Sequence, residues 1–368
     1  MKAIIQPCSL HGVIAAPPSK SVTQRAYAAA LLHTGKTIIH NAGNSDDENA
    51  ALDIIQQLGA NVTHGSSVVT VESKGLKPVS GFINCGESGL AARLFAPIAA
   101  ISNSEIKIEG KGSLLKRPMD GFRDAFTALG VALPGFNGHV PFAIQGPLRA
   151  RSVRLNASGG SQLLSGLLFA LSSCAKQPIT INVTGLKSRP YIDLTLEVLA
   201  HFGRPVTHKF YREFYIDPAL FAYNETIEIN IEADWSSAAY MLVAGALAGS
   251  VTVQNLNLIS KQADRAILEL LKNAGVDMII NDDSITTKTS ILQAFEFDAT
   301  HCPDLFPIVS VLAACCSGES NIKGVHRLFN KESNRVESIA DMLWDFQVPF
   351  SVEDDILSIM NYCFARMQ

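Results

Sequence analysis

"LLSGLLFALSSCAKQPITINVTG" (residues 163–185), followed by "YIDLTLEVLAHFG" (191–203), contains the unit that decides the fold. A small-residue apolar helix comes first. A polar break follows, then the β-branched strand "ITINVT". A polar loop leads into an amphipathic helix that stops at Gly203. In that second helix Leu194, Val198 and Leu199 share one face, with Phe202 on its flank. A glycine just past the last turn is the usual left-handed helix stop.

The phrase recurs through the chain. Its other copies run from "AYAAALLHTGKTIIHN" (26–41) to "ALDIIQQLGANV" (51–62), and from "ARLFAPIAAISNSEIKIEG" (92–110) to "GFRDAFTALGVAL" (121–133). They continue from "AAYMLVAGALAGSVTVQNLN" (238–257) to "DRAILELLKNAGVDM" (264–278), and from "PIVSVLAACCSGESNIKGV" (307–325) to "VESIADMLWDFQVPF" (336–350). The amphipathic helices end at Gly59, Gly130, Gly203 and Gly275, with Gln347 in the fifth place, at spacings of 71, 73, 72 and 72. A fixed period of this length marks a repeated folding unit, too long for a solenoid repeat. Each unit is mixed α/β, and three packed around their apolar helices make one domain. Two such domains need about 430 residues at this period. With five copies and the strands "PFSVEDDILSI" (349–359) read as opening a sixth, the chain is expected to fall short by most of a unit.

Composition narrows the class. The chain has 368 residues, 47% hydrophobic and 17% charged, which supplies two large cores. A net charge of −4 and 7% aromatic residues argue against a general nucleic-acid binder. Any anion site must come from a few placed cations. The seven scattered cysteines form no CxxC pair, pointing to a reduced, cytoplasmic protein. No apolar run reaches transmembrane length, and "MKAIIQPCSLHG" lacks a signal-peptide core.

Candidate anion-binding groups fall at equivalent points of the repeat, at or just before helix starts. In "PPSKSVTQRA" (17–26) they are Lys20, Ser21 and Arg25, with Ser21 and Arg25 four residues apart on one face. "GESGLAAR" (86–93) offers Gly86 and Gly89 for close backbone approach, and "LKRP" (115–118) places Arg117 before Pro118 at a first helical position. Ser161 and Gln162 open an apolar helix, and Ser188, Arg189 and Tyr191 precede or open the next. Asp304 heads the apolar helix of "HCPDLFPIVSVLAACC" (301–316). "NKESNRVESI" (330–339) sets Lys331 and Arg335 on one face, with Glu332 between them. Each motif alone is explained by capping and solvated charge. Together they imply a cleft between two similar domains, lined by helix N-termini, for a small substrate with several anionic groups.

The ordered set "PPSKSVTQR", "SDD" (45–47), "SGGSQLLSGLL" (158–168), "SRPYIDLTL" (188–196), "ADWSSAAY" (233–240), "CPDLFPI" (302–308) and "NKESNR" (330–335) resembles the 5-enolpyruvylshikimate-3-phosphate synthase family. The resemblance spans about residues 10–357. It implies the enolpyruvyl transferase fold: two domains of βαβαββ-type units joined by two crossings. It divides this chain into 20–232 and into 1–19 with 233–368, the latter holding two units plus the start of a third.

It also implies transfer of the enolpyruvyl group of phosphoenolpyruvate to the 5-hydroxyl of shikimate 3-phosphate, by addition and elimination in a monomer without metal or cofactor. Lys20, Gly89, Arg117, Gln162 and Arg335 would meet phosphoenolpyruvate. Lys20, Ser21, Arg25, Ser161, Gln162, Ser188, Tyr191, Asp304 and Lys331 would meet shikimate 3-phosphate. Asp304 would be the base, Glu332 would handle the methylene proton, and Lys331 would bridge both substrates.

This sequence departs from the family pattern at several points. The usual Asn-Ala-Gly-Thr is Glu87-Ser88-Gly89-Leu90, one serine before Gln162 is Gly160, and an acid is Asn334. The later Asp-His-Arg motif does not occur in the 368 residues, so impaired turnover is expected. The alternatives are a non-catalytic paralogue that binds shikimate 3-phosphate, and a UDP-N-acetylglucosamine enolpyruvyl transferase. The second needs a catalytic-loop cysteine that "KGSLLKRPMDG" (111–121) lacks.

Overall fold

The computed structural model describes residues 6–65, 67–329 and 332–361. After β1 (Leu10–Ala15), the first repeat runs α1 (Lys20–Leu32), β2 (Thr34–His40), α2 (Asp46–Gln57), β3 (Asn61–His64) and β4 (Val68–Lys74). The second is β5 (Phe82–Asn84), α3 (Gly89–Ala99), β6 (Glu105–Glu109), α4 (Phe122–Ala128) and β7 (Phe142–Gln145). The third is β8 (Val153–Asn156), α5 (Gln162–Cys174), β9 (Ile179–Thr184), α6 (Pro190–His201), β10 (Val206–Lys209) and β11 (Glu213–Ile216). The fourth is β12 (Thr226–Asn230), α7 (Trp235–Ala248), β13 (Gly249–Gln254), α8 (Ile267–Asn273), β14 (Asp277–Ile280) and β15 (Ile285–Lys288). The fifth is β16 (Glu296–Asp298), α9 (Phe306–Ala314), β17 (Gly318–Lys323), α10 (Arg335–Asp345), β18 (Phe350–Glu353) and β19 (Ile356–Asn361).

Each repeat builds one small sheet on a common plan. The strand after the first helix has a parallel neighbour on one side and an antiparallel neighbour on the other. The orders are β12-β2-β4-β3, β5-β6-β7, β8-β9-β11-β10, β1-β13-β15-β14 and β16-β17-β19-β18. In the second sheet an isolated bridge, Ala132 to Gln145, stands where the fourth strand would be.

The parallel neighbours are exchanged at two places. β12 lies beside β2 of the first repeat, with Thr226 opposite Lys36, and β1 lies beside β13 of the fourth, with Leu10 opposite Gly249. The chain accordingly divides into two compact units, Pro18–Ile231 and Met1–Pro17 with Glu232–Gln368.

The strands in "PFSVEDDILSI" (349–359) do not open a sixth repeat. They form β18 and β19, which pair with each other, and β19 pairs with β17, so the hairpin completes the fifth sheet. The cause is the common plan, in which the second helix of a repeat is followed by its own hairpin. The helix stops confirm that register. Gly59, Gly130, Gly203 and Gly275 have φ values of 107°, 76°, 71° and 82°, and Gln347 takes the same left-handed turn at 55°.

In the unit Pro18–Ile231 the apolar helices α1, α3 and α5 form the centre. Tyr27, Phe95, Phe169 and Leu164 are fully or almost fully buried there. A helix apolar on all sides is stable only with neighbours all round, which three sheets and two sister helices provide. In α6 the face read from the sequence is the buried one, with Leu194, Val198 and Leu199 all at or below 4% exposure. Among the described residues no helix is long and apolar enough to cross a membrane, and no cluster of three or more His, Cys, Asp or Glu is placed to hold a metal.

Candidate active site

In the unit Pro18–Ile231, Pro17-Pro18 leads into α1 with Ser19 as N-cap, and Lys20 opens the helix. A cation there opposes the helix dipole. It is compensated by the first turn of α2, since Lys20 Nζ lies 2.9 Å from Asp47 Oδ2. Asp47 belongs to the "SDD" stretch, and the Ser45–Glu48 capping box fixes that turn.

Arg25, one turn further along α1, is only 1% exposed. Its guanidinium spends three donors on neutral acceptors: Nε to Thr195 Oγ1 at 2.9 Å, Nη1 to Ser21 O at 2.7 Å and Nη2 to Tyr191 O at 3.1 Å. Thr195 is held in turn by Ser165 Oγ at 2.8 Å and by its bond to Tyr191 O at 3.0 Å. Burial lowers the Arg25 pKa to about 10, with the Tyr191 phenol working the other way. A cation removed from water and surrounded by neutral groups is an incomplete pair, and an anionic ligand completes it.

Around Arg25 stand the starts of two further helices. Ser161 is the buried N-cap of α5, yet its side chain makes no capping bond, and Gln162 follows it. Gly160 before them has φ 130°, and a Cβ there would meet nothing within 4 Å, so the departure from serine leaves open space. Ser188, before α6, is buried and held at φ 55°, a costly turn for a side chain bearing a Cβ. Tyr191, half-buried at the start of α6, presents the carbonyl that Arg25 and Thr195 share.

The start of α3 carries the second cation. Arg117 is 8% exposed and lies against Gly89, where an ideal Cβ would stand 2.5 Å from Arg117 Cζ. Gly89 is therefore required by the guanidinium as well as by backbone approach. Pro118 is not a first helical position. Residues 112–116 form a 3₁₀ turn and α4 starts only at Phe122, so Arg117-Pro118 stays extended. This loop is fixed from α3, because Arg93 Nη2 donates to Pro118 O at 2.6 Å while its Nη1 reaches Gly89 O at 2.9 Å and Gln162 Oε1 at 3.1 Å. Arg93 thus joins three of the sequence-named positions. The charge of Glu87 turns to the same loop, accepting from Ser113 N and Oγ at 2.9 Å each, and those bonds lower its pKa.

The other unit holds a separate cluster. Asp304 sits in a 3₁₀ turn that runs into α9, and Arg335 opens α10. Arg335 Nη1 donates to Asp304 Oδ1 at 2.7 Å and Nη2 to Glu332 Oε2 at 3.1 Å. Burial pulls the Arg335 pKa down, but Asp304 and Glu332 outweigh it and the net shift is upward. Tyr240 of α7 faces the group, its phenol pushed up by burial and by Asp304 and Asp264 against the opposing pull of Arg335. Lys331 lies outside the described residues. Sequence reading missed Arg93 and Tyr240, and it quoted Asp47 without giving it a role. In "SDDE" (45–48), acids opening a helix that starts with a cap were the available signal for Asp47.

The fold matches EPSP synthase from Acinetobacter baumannii with a TM-score of 0.78 at 22% identity, covering 97% of this chain and 83% of that one. It matches the enolpyruvyl transferase NikO from Streptomyces tendae at TM-score 0.72 and 16% identity, again over 97% and 83%. The architecture is therefore that of the enolpyruvyl transferases. The sequence profile of EPSP synthase (3-phosphoshikimate 1-carboxyvinyltransferase) matches residues 4–366. Relatives carrying the latter name include one from Methanocorpusculum labreanum, 32% identical over 96% of this chain and 84% of that protein. Another, from Clostridium acetobutylicum, is 35% identical over 92% and 79%. The chain belongs to the EPSP synthase family of carboxyvinyl transferases.

Proposed function

We propose that the chain performs its family's reaction with the residues named above. The carboxyvinyl group of phosphoenolpyruvate passes to the 5-hydroxyl of shikimate 3-phosphate, and phosphate is released. One observation carries the assignment of residues: Arg25 is buried with three bonds to neutral acceptors and no charge among them. Arg25, Ser21, Ser161, Gln162, Ser188 and Tyr191 hold shikimate 3-phosphate, with Lys20, Asp304 and Lys331. Arg117, Gly89, Gln162, Lys20 and Arg335 hold phosphoenolpyruvate.

Asp304 takes the proton of the 5-hydroxyl as its oxygen bonds to C2 of phosphoenolpyruvate, and Glu332 gives a proton to C3. In the resulting tetrahedral adduct the C2–phosphate bond then breaks. A proton leaves C3, and the double bond re-forms in the enol ether product. Arg335 steadies the carboxylate throughout. Cys8, Cys85, Cys174, Cys302, Cys315 and Cys316 are all free. Unpaired cysteines scattered through the chain support a reducing compartment, and we place the enzyme in the cytoplasm.

The test is phosphate release by the purified 368-residue chain given both substrates. Release that requires both is the expected result. No release, with shikimate 3-phosphate still bound by calorimetry, would favour the binding-only reading. Gly89→Ala gives a second check. Its methyl group displaces the Arg117 guanidinium, so KM for phosphoenolpyruvate rises by roughly tenfold or more while KM for shikimate 3-phosphate stays within twofold. Equal KM values for Gly89→Ala and the parent would remove Arg117 from that subsite.

A further inference from the structure

We propose that Gln24 and Ser88 form a positioning pair that sets the start of α3, and with it the seat of Arg117. The inference rests on the phosphoenolpyruvate subsite proposed above. Ser88 is the N-cap of α3, and its Oγ accepts from Ala91 N–H at 3.2 Å. Its hydroxyl proton goes to Gln24 Oε1 of α1, also at 3.2 Å. A hydroxyl can accept and donate at once, and here the two bonds run in one direction. A continuous line from the α3 backbone through Ser88 to Gln24 therefore ties the first turn of α3 to α1, one residue before Arg25.

Two observations show that this link is more than filling. First, Gln24 is completely buried, and its Nε2 has no hydrogen-bond partner. An unbranched apolar side chain of that length would occupy the same place without stranding a donor. In a helix that continues "AYAAALL", the polar residue is accounted for by what its oxygen holds. Second, the Ser88 hydroxyl is itself buried to 2% exposure and is used twice, accepting from Ala91 N–H and donating to Gln24 Oε1. The anchor falls directly before Gly89, whose missing Cβ makes room for Arg117 and whose carbonyl accepts from Arg93. Loosening it moves the surface on which the Arg117 guanidinium rests.

The test uses the 368-residue chain and the variants Ser88→Ala, Ser88→Thr, Gln24→Met and the Ser88→Ala/Gln24→Met double. Ser88→Ala and Gln24→Met each raise KM for phosphoenolpyruvate roughly five- to tenfold, with kcat and KM for shikimate 3-phosphate within twofold. Ser88→Thr keeps the hydroxyl and restores the parent value. The double variant is no worse than the poorer single, because both break one line of bonds.

Hydrogen exchange of amides 89–92, measured without substrate, speeds up in both singles. Gln24→Met is the decisive one, since it leaves the cap itself intact. This exchange measurement needs no turnover, so it judges the pair even if the parent chain releases no phosphate, an outcome that would sink only the reaction. Unchanged exchange at Ala91 in Gln24→Met overturns the inference. So does an unchanged phosphoenolpyruvate KM in an active enzyme, or a lowered melting temperature as the sole effect.

Discussion

Arg25→Ala is expected to bind shikimate 3-phosphate so weakly that kcat/KM for it falls about a thousandfold, near 4 kcal/mol of lost stabilisation. Charge-assisted bonds contribute about 1.5–3 kcal/mol each, and a guanidinium offers two to a phosphate or carboxylate. Arg25→Lys recovers little. Lysine restores the charge, but it cannot span Thr195 Oγ1, Ser21 O and Tyr191 O, which fix the plane of the arginine fork. A change in fold is separable from a change in binding. The ligand-free guanidinium is a desolvated cation facing only neutral groups, so removing it relieves a burial cost while it opens a cavity. The melting temperature therefore moves less than the affinity. Calorimetric titration of both variants with shikimate 3-phosphate, beside a thermal melt, is the measurement. Affinity within tenfold of the parent for Arg25→Ala would mean that its anionic partner is not this substrate.

The sequence displayed the repeat because the repeat is local. Helix stops at Gly59, Gly130, Gly203 and Gly275, and the apolar runs before them, need only a few neighbouring residues to be read. Gln347 fits the series because the left-handed turn is fixed by its place after the helix, and the side chain tolerates it. The exchange of β1 and β12 was not legible in the repeat itself and entered only through the family resemblance, because an edge strand of six or five residues carries no mark of which sheet it joins. The hairpin β18–β19 was assigned to the wrong repeat because the cut was placed at the helix stop, before the hairpin that completes the same sheet.

In the site, the residues on helix starts were legible and their supports were not. Arg93 follows Gly89 by four residues, but its bonds to Gln162 and Pro118 join segments 69 and 25 residues away. Glu87 stood out in the sequence only as a departure from the family pattern, placing a negative charge two residues before Gly89. Its carboxylate is instead spent on Ser113, a partner that no local pattern announces.

Asp304→Asn is expected to lower kcat by about 10²–10⁴-fold, the usual contribution of a positioned general base, with both KM values within a few-fold. Asparagine is the informative replacement because Asp304 has two jobs that alanine would remove together. Its Oδ1 accepts from Arg335 Nη1 at 2.7 Å, and an amide oxygen can keep that bond. Arg335 also keeps Glu332 at 3.1 Å and so remains in place. What asparagine cannot do is accept the hydroxyl proton. The two readings of Asp304 therefore divide cleanly. A base loses kcat in Asp304→Asn as fully as in Asp304→Ala. A residue that only orients Arg335 keeps kcat in the asparagine variant and raises KM for phosphoenolpyruvate in the alanine variant, since the freed guanidinium no longer points at the carboxylate. Glu332→Gln completes the comparison, because Glu332 is the more exposed of the two partners of Arg335 and its loss shifts that side chain less. A drop in kcat for Glu332→Gln therefore reports proton handling at the methylene carbon rather than displacement of the cation. Full activity in Asp304→Asn would move the base elsewhere in the enzyme.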